Sequence, residues 1–134
     1  MGIRIRQRDH RMLTVADVDA AVDFYRRVLG MQEVVFGDLR RRALAFGTQK
    51  SNLHPPAVPF EPKIEHPTPA PADLCFSADT PLDAVMSHLD DEGVALVEGP
   101  VTRAGARQPL RSVDIRDPGA NLIEISNPLE EPAA

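Results

Sequence analysis

Two stretches of this chain follow one plan, and that repetition constrains its fold more than any other feature. Residues 9–54 carry a strand pattern (DHRMLTV), an amphipathic helix pattern closed by Gly30, and further strand patterns ending RRALAFGTQKSNLH. Residues 72–127 repeat the order with ADLCFSA, a helix pattern closed by Gly93, and a hairpin pattern, RSVDIRDPGANLIEIS. A period of about half the chain marks an internal duplication rather than a solenoid. Each βαβββ unit covers one face of a small sheet with its helix and leaves the other face open. The chain is therefore predicted to be an α+β protein: one domain over residues 1–134, made of two tandem βαβββ modules at about 8–54 and 72–127. Their strands are expected to form a curved mixed sheet around a central cleft.

Residue by residue, the first module opens on a strand at 9–15, after a weakly alternating lead-in at 1–8. Strand side chains alternate, so Leu13 and Val15 share one face and His10, Met12 and Thr14 the other. Asp17 suits a helix N-cap, Val18, Ala21, Val22, Tyr25, Val28 and Leu29 recur at helical spacing, and Gly30 suits a left-handed C-terminal cap. Short strands are expected at 32–37, 42–47 and 50–54, with Arg40-Arg41-Arg42 as a solvated turn. In the second module a strand at 72–78 sets Leu74 and Phe76 against Asp73, Cys75 and Ser77. A helix at 81–92 follows, with Pro81 in its first turn and an apolar stripe of Leu82, Val85, Met86 and Leu89. A strand at 94–98 and a loop at 99–109 carrying Arg103 and Arg107 lead to the closing hairpin. Its turn is Asp117-Pro118-Gly119, where Pro presets φ and Gly accepts positive φ. In the returning strand Ile123 and Ile125 face one way and Glu124 the other. A carboxylate at the centre of a strand needs water, a partner or a metal.

Composition narrows the function. The chain has 134 residues and a net charge of -5, with ten Arg/Lys against six Asp/Glu in residues 1–50 and five against fourteen thereafter. The basic residues are scattered and aromatics make up only 4% of the chain, which argues against a nucleic-acid surface. Its single cysteine, Cys75, allows no intramolecular disulfide and reads as a small buried hydrophobe. No leader and no membrane-length apolar run is evident, so a cytoplasmic protein without a membrane partner is expected. Seven of the thirteen prolines lie in the connecting segment 55–71. That segment is too long for an ordinary connection and is expected to be an ordered lid anchored by Phe60, Glu61, Lys63 and His66.

The faces turned away from the helices give a candidate site. They carry His10, Asn52 and His54 in the first module and Asp73, Cys75 and Glu124 in the second. Equivalent places in the two modules pair His10 with Asp73 and Asn52 with Glu124. His88, on the second helix, reads as a surface residue.

The motifs Asp9-His10, Leu13-Thr14-Val15, Asp23-Phe24-Tyr25, Val28-Leu29-Gly30-Met31, Asp117-Pro118 and Asn121-Leu122-Ile123-Glu124 together resemble the vicinal oxygen chelate superfamily of glyoxalases, bleomycin-resistance proteins and extradiol dioxygenases. With Asn52-Leu53-His54, Phe60-Glu61-Pro62-Lys63 and His66-Pro67, the chain most resembles a glyoxalase-domain subgroup labelled virulence proteins, whose substrate is unknown. The resemblance implies a divalent metal, zinc, nickel, iron or manganese, held by one residue at each of four strand positions. Here these positions hold His10, Asn52 where Glu is usual, Asp73 where His is usual, and Glu124. His54, one strand repeat beyond Asn52, completes a metal set of His10, Asp73, Glu124 and His54. The implied activity is that of a metal-dependent lyase, isomerase or oxygenase on a small substrate with vicinal oxygens. Glu124 would double as catalytic base, and His54, His66, Arg103 and Arg107 would bind substrate. The alternative implied by the same family is metal-free binding or sequestration of a small molecule. Members commonly pair, so a homodimer is expected.

Overall fold

Asp17 starts the first helix as its sequence position suggests. Its backbone is extended (φ -131°) and its Oδ1 accepts a hydrogen bond from the Ala20 amide at 3.0 Å, satisfying one of the amides that a helix leaves open at its start. The computed structural model describes residues 2–55 and 73–129, and the chain divides into two units at residues 70 and 71.

The first unit runs β1 (His10–Thr14), α1 (Val18–Arg27), β2 (Gln32–Phe36), β3 (Arg41–Phe46) and β4 (Gln49–His54). Its sheet has the order β1-β4-β3-β2, with β1 parallel to β4 and the other pairs antiparallel. Leu13, Leu44 and Leu53 are buried with Ala21, Val22, Phe24 and Tyr25 of α1, so the helical stripe also includes Phe24. Gly30 takes the positive φ of 68° at the end of the helix. Of the three consecutive arginines only Arg40 lies in the turn, while Arg41 and Arg42 belong to β3. Arg42 shares the face of Leu44 and Leu53 and pairs there with Asp19 of α1 and Glu33 of β2, which shows which face the helix covers. The expected solvated turn is thus shortened by strand pairing: Arg41 and Arg42 face Phe36 and Val35 across the β2–β3 ladder.

The second unit repeats the plan with β5 (Asp73–Ser77), α2 (Leu82–Asp91), β6 (Glu98–Ala104), β7 (Pro109–Arg116) and β8 (Leu122–Pro128). The order is β5-β8-β7-β6, again with the first and last strands of the unit parallel to each other. Leu82, Val85 and Leu89 of α2 are buried, as are Val113, Ile115, Ile123 and Ile125 of the sheet. Fully burying each such side chain stabilises the fold by about 1.5–3 kcal/mol. Asp83 in the first turn of α2 reaches Arg111 of β7 at 3.8 Å, on the face of Val113. Pro81 stands one place before the helix, at the N-cap. Two four-stranded mixed sheets, each with its own helix, are therefore the two tandem βαβββ modules.

Two expectations are corrected in this unit. Residues 94–97 form no strand, and the expected loop at 99–109 is largely β6, leaving only a short connection before β7. Gly99-Pro100 reads as a strand terminator, but β6 is an edge strand and absorbs the pair in a bulge between Glu98 and Val101. At Gly99, φ is 105° and an added Cβ would lie 2.6 Å from the Ser112 carbonyl oxygen, so only glycine fits. The second correction concerns the closing turn, where the positive φ belongs to Ala120 (66°) rather than to Gly119. Asp117 supplies the reason: its Oδ1 accepts from both the Gly119 and Asn121 amides at 2.9 Å, and its Oδ2 accepts from Asn121 Nδ2 at 2.8 Å. The side chain, rather than a flexible glycine, shapes this turn. No helix among the described residues is long and apolar enough to cross a membrane.

Candidate functional site

In the second unit the face opposite α2 carries one continuous row across four strands. Cys75 aligns with Glu124, Glu124 with Asp114, and Asp114 with Glu98. Directly opposed side chains in a sheet share a face and interact, so this row sets three carboxylates beside one thiol. Arg103 compensates two of them, its Nη2 lying 2.9 Å from both Asp114 Oδ2 and Glu98 Oε2. Asp114 is only 5% exposed, and its Oδ1 is buried without a hydrogen-bond partner. Burial pushes the Asp114 carboxyl up, Arg103 pulls against that, and the negative charges of Glu124, Glu98 and Asp73 add to the rise.

Glu124 has a different environment. Its Oε2 accepts from the Cys75 thiol at 3.4 Å, and among the described residues no cation pairs with it. Cys75 is exposed rather than a buried hydrophobe, because alternation on β5 puts it on the face opposite Leu74. Burial of its sulfur raises the thiol's pKa, and the hydrogen bond to Glu124 and the surrounding carboxylates raise it further, so the thiol stays protonated and donates. Asp73 lies two positions along β5 from Cys75, on the same face and diagonal to Glu124.

The equivalent row of the first unit is Met12, Asn52, Ala43 and Val34. Asn52 stands in the place of Glu124 and is 4% exposed; its Nδ2 meets the Met12 sulfur at 3.4 Å and its Oδ1 is buried without a partner. His10 begins β1 with its Nδ1 held by Asp9 Oδ2 at 2.9 Å, which directs chemistry to Nε2. His54 lies at the other end of the β1/β4 pair, since His10 aligns with Lys50 and Thr14 with His54. Four strand positions separate the two histidines, about 13 Å at the usual rise per residue. His54 is buried, and its Nε2 accepts from Arg41 Nη2 at 2.6 Å. Burial and the Arg41 charge lower its pKa, so the ring is neutral at neutral pH.

Arg103 is held in ion pairs on β6, Arg107 is exposed in the connection between β6 and β7, and His66 with the rest of the expected lid lies outside the described residues. His88 is exposed on α2. Sequence reasoning missed Asp114 and Arg41. Asp114 carried the same signal as Glu124, a lone carboxylate between two buried apolar residues, Val113 and Ile115. Arg41 was hidden in a run of arginines.

The βαβββ plan is thus present twice, with a row of carboxylates on the open face of the second unit. The model of the Glyoxalase/Bleomycin resistance protein/Dioxygenase superfamily matches residues 7–125, and the chain belongs to that superfamily. Virulence protein STM3117 of Salmonella typhimurium is 50% identical over 118 residues, covering 88% of this chain and 81% of that one. Glyoxalase domain-containing protein RDO1 of Mycosarcoma maydis is 46% identical over 125 residues, covering 93% of this chain and 70% of that one. Among solved structures, an integron cassette protein of V. cholerae superposes with a TM-score of 0.90 at 47% identity, covering 95% of this chain and 98% of that one.

Proposed function

We propose that this protein is a metal-dependent lyase, isomerase or oxygenase of a small substrate bearing adjacent oxygens. The observation that carries the reading is Glu124, a carboxylate at the centre of a sheet face that forms no ion pair among the described residues and shares the field of Arg103 with Asp114 and Glu98. A buried or half-buried negative charge of that kind is costly unless a cation joins it. The donors within each unit fit a divalent ion unequally. His10 fits, because a carboxylate on one ring nitrogen fixes the tautomer and leaves the other as ligand, as metal-bound histidines usually require. Glu124 and Asp73 fit as oxygen donors on one face of the second unit. His54 fits poorly, since the nitrogen that would bind is hydrogen-bonded to a guanidinium. Asn52 Oδ1, buried and unpartnered, is the better donor of β4. We therefore propose Asp73 and Glu124 as the metal donors of the second unit, His10 with Asn52 assisting as those of the first, and His54 as a substrate-side residue.

When bound, a divalent ion of this type polarises the oxygens of a substrate and lowers the barrier to proton movement beside them. The chain's own residues supply the rest. Glu124 accepts the proton, its Oε2 steadied by the Cys75 thiol and its Oε1 left for the transfer. Asp114, tied to Arg103, keeps a second carboxylate beside it. Arg103 and Arg107 lie on the second unit as further cations for substrate, with Arg103 the weaker candidate because two carboxylates already hold it. The protein would work in the cytoplasm as a homodimer, for which light scattering across concentrations should give twice the chain mass; a constant monomer mass would oppose it.

Calorimetric titration of metal-free protein with zinc, nickel, iron(II) and manganese tests the reading. One ion per chain in wild type, with binding lost in Glu124→Gln, is expected. Equal binding in both would defeat it. The second reading, metal-free ligand binding, is favoured by one observation: among the described residues no group of three or more His, Cys, Asp or Glu side chains stands ready to hold an ion.

A further inference from the structure

Residues 3–8, the segment leading into β1, are exposed throughout: Ile3 is 90% and Ile5 80% exposed, and Arg4, Arg6 and Arg8 are exposed beside them. In an extended segment side chains alternate, so the isoleucines share one side and the arginines the other. The chain itself does not cover the isoleucines. None of the three arginines is in an ion pair among the described residues. Two such segments laid side by side would set arginine against arginine, which opposes self-pairing and favours an acidic surface.

The second unit carries a surface with the matching pattern. β6 ends its sheet, and Leu96 and Val97, directly before it, are 39% and 52% exposed. Acids flank this apolar pair, since Glu98 begins β6 and Asp90 and Asp91 end α2. Carboxylates are out of place in the last turn of a helix, where the free carbonyls already make that end negative. α1 follows the rule with Arg26 and Arg27 in its last turn. α2, at the same point of the duplicated plan, reverses it, with His88 as the basic residue of that turn. Neither Asp90 nor Asp91 is in an ion pair among the described residues.

Charge distinguishes this surface from the other terminal strands. Residues 2–11 hold four Arg and one Asp, and residues 73–129 hold ten Asp/Glu and four Arg. β2 also exposes Val34 and Val35, but its Glu33 is already paired with Arg42. β1 is itself basic at Arg11, and β5 exposes no large apolar side chain. Size fits as well. Six extended residues span about 17 Å. Asp91 and Leu96, five residues apart, lie no more than about 18 Å from each other.

We propose that residues 3–8 of one copy dock on the Leu96–Val97 surface at the head of β6 in a second copy, and that the second copy docks in return. Ile3 and Ile5 cover the apolar pair, while the long side chains of Arg4, Arg6 and Arg8 reach the acids around it. A two-fold pair makes each contact twice, so a weak single contact counts double. The inference supplies the contact for the homodimer of the proposed function, rests on that reading, and is independent of the metal.

Sedimentation velocity of the full chain over a range of concentrations tests it. Wild type is expected to dimerise, and the pair Ile3→Ser and Ile5→Ser, or the pair Leu96→Ser and Val97→Ser, should raise the dimer Kd at least about tenfold. Circular dichroism should not change, because all four side chains are exposed. Reversing charge on one side, by Arg4→Glu with Arg6→Glu or by Asp90→Lys with Asp91→Lys, should weaken the dimer about tenfold, and combining both reversals in one chain should recover it. Metal uptake should be the same in all of these variants. A dimer that all of them leave unaltered would overturn this contact while keeping the homodimer. A monomeric wild type would overturn both. Dissociation by the isoleucine pair but not by the Leu96 and Val97 pair would rule out β6 as the docking surface, and slow amide exchange of residues 3–8 in diluted monomer would show that the segment belongs on its own chain.

Discussion

Replacing Asp117 with alanine removes three hydrogen bonds from the turn that sets the register of Glu124. Asp117 is 8% exposed and Asn121 is 4% exposed, so the Asn121 amide and side-chain Nδ2 would be left buried without the acceptors they have at 2.9 and 2.8 Å. Each such orphaned donor costs about 1–3 kcal/mol. The Gly119 amide, in an exposed residue, can turn to water at little cost. Relief from burying the carboxylate offsets part of the loss, which leaves a net destabilisation of about 2–4 kcal/mol. Asp117→Asn is the control: its carbonyl oxygen can still serve both backbone amides, and only the contact with Asn121 Nδ2 is disturbed, for about 1–2 kcal/mol. Urea unfolding followed by circular dichroism measures both. An alanine variant within about 0.5 kcal/mol of wild type, the range of an ordinary surface substitution, would refute the claim that this side chain holds the turn. A one-residue slip in the hairpin would send Glu124 to the helix side, so the same variant should also lose any function that depends on that carboxylate.

Two further predictions follow from the charged groups. Cys75 should be alkylated by iodoacetamide with a pH midpoint above the ordinary thiol value of 9.0, and Glu124→Gln should move that midpoint down; a midpoint below 9.0 in wild type would contradict the hydrogen bond. His54 should titrate by NMR below its ordinary 6.5, and Arg41→Gln should raise it. Because the folded value is depressed, the unfolded chain binds the extra proton in the interval between the two values. His54 therefore makes stability rise with pH through that interval and fall again on acidification. A midpoint above 6.5 would show that the ring is not held neutral.

The fold was legible because its evidence is periodic. Alternation at Leu74 and Phe76, or at Ile123 and Ile125, follows directly from the geometry of a strand with one buried face, and the helix caps at Asp17 and Gly30 have local physical causes. β6 was not legible because Gly99-Pro100 breaks strands in general and is tolerated here only at a bulged edge, a fact of pairing with β7 that lies outside the local sequence. The turn at Asp117 was placed correctly but assigned to the wrong residue, since the side-chain acceptors that let Ala120 take a positive φ are not a matter of composition. At the site, the faces of His10, Asn52 and Glu124 could be read from alternation. The partners could not: that Arg103 is occupied by Glu98 and Asp114, and His54 by Arg41, depends on which strands lie side by side.

The central proposal, that this chain holds a divalent ion with Glu124 among its ligands, is tested most directly by elemental analysis of protein purified without chelator. Wild type is expected to carry close to one equivalent of a transition metal per chain, and His10→Ala, Asp73→Ala and Glu124→Ala each much less, with unchanged circular dichroism. Metal content equal in wild type and all three variants, or absent from wild type even after metal is added back, would contradict it.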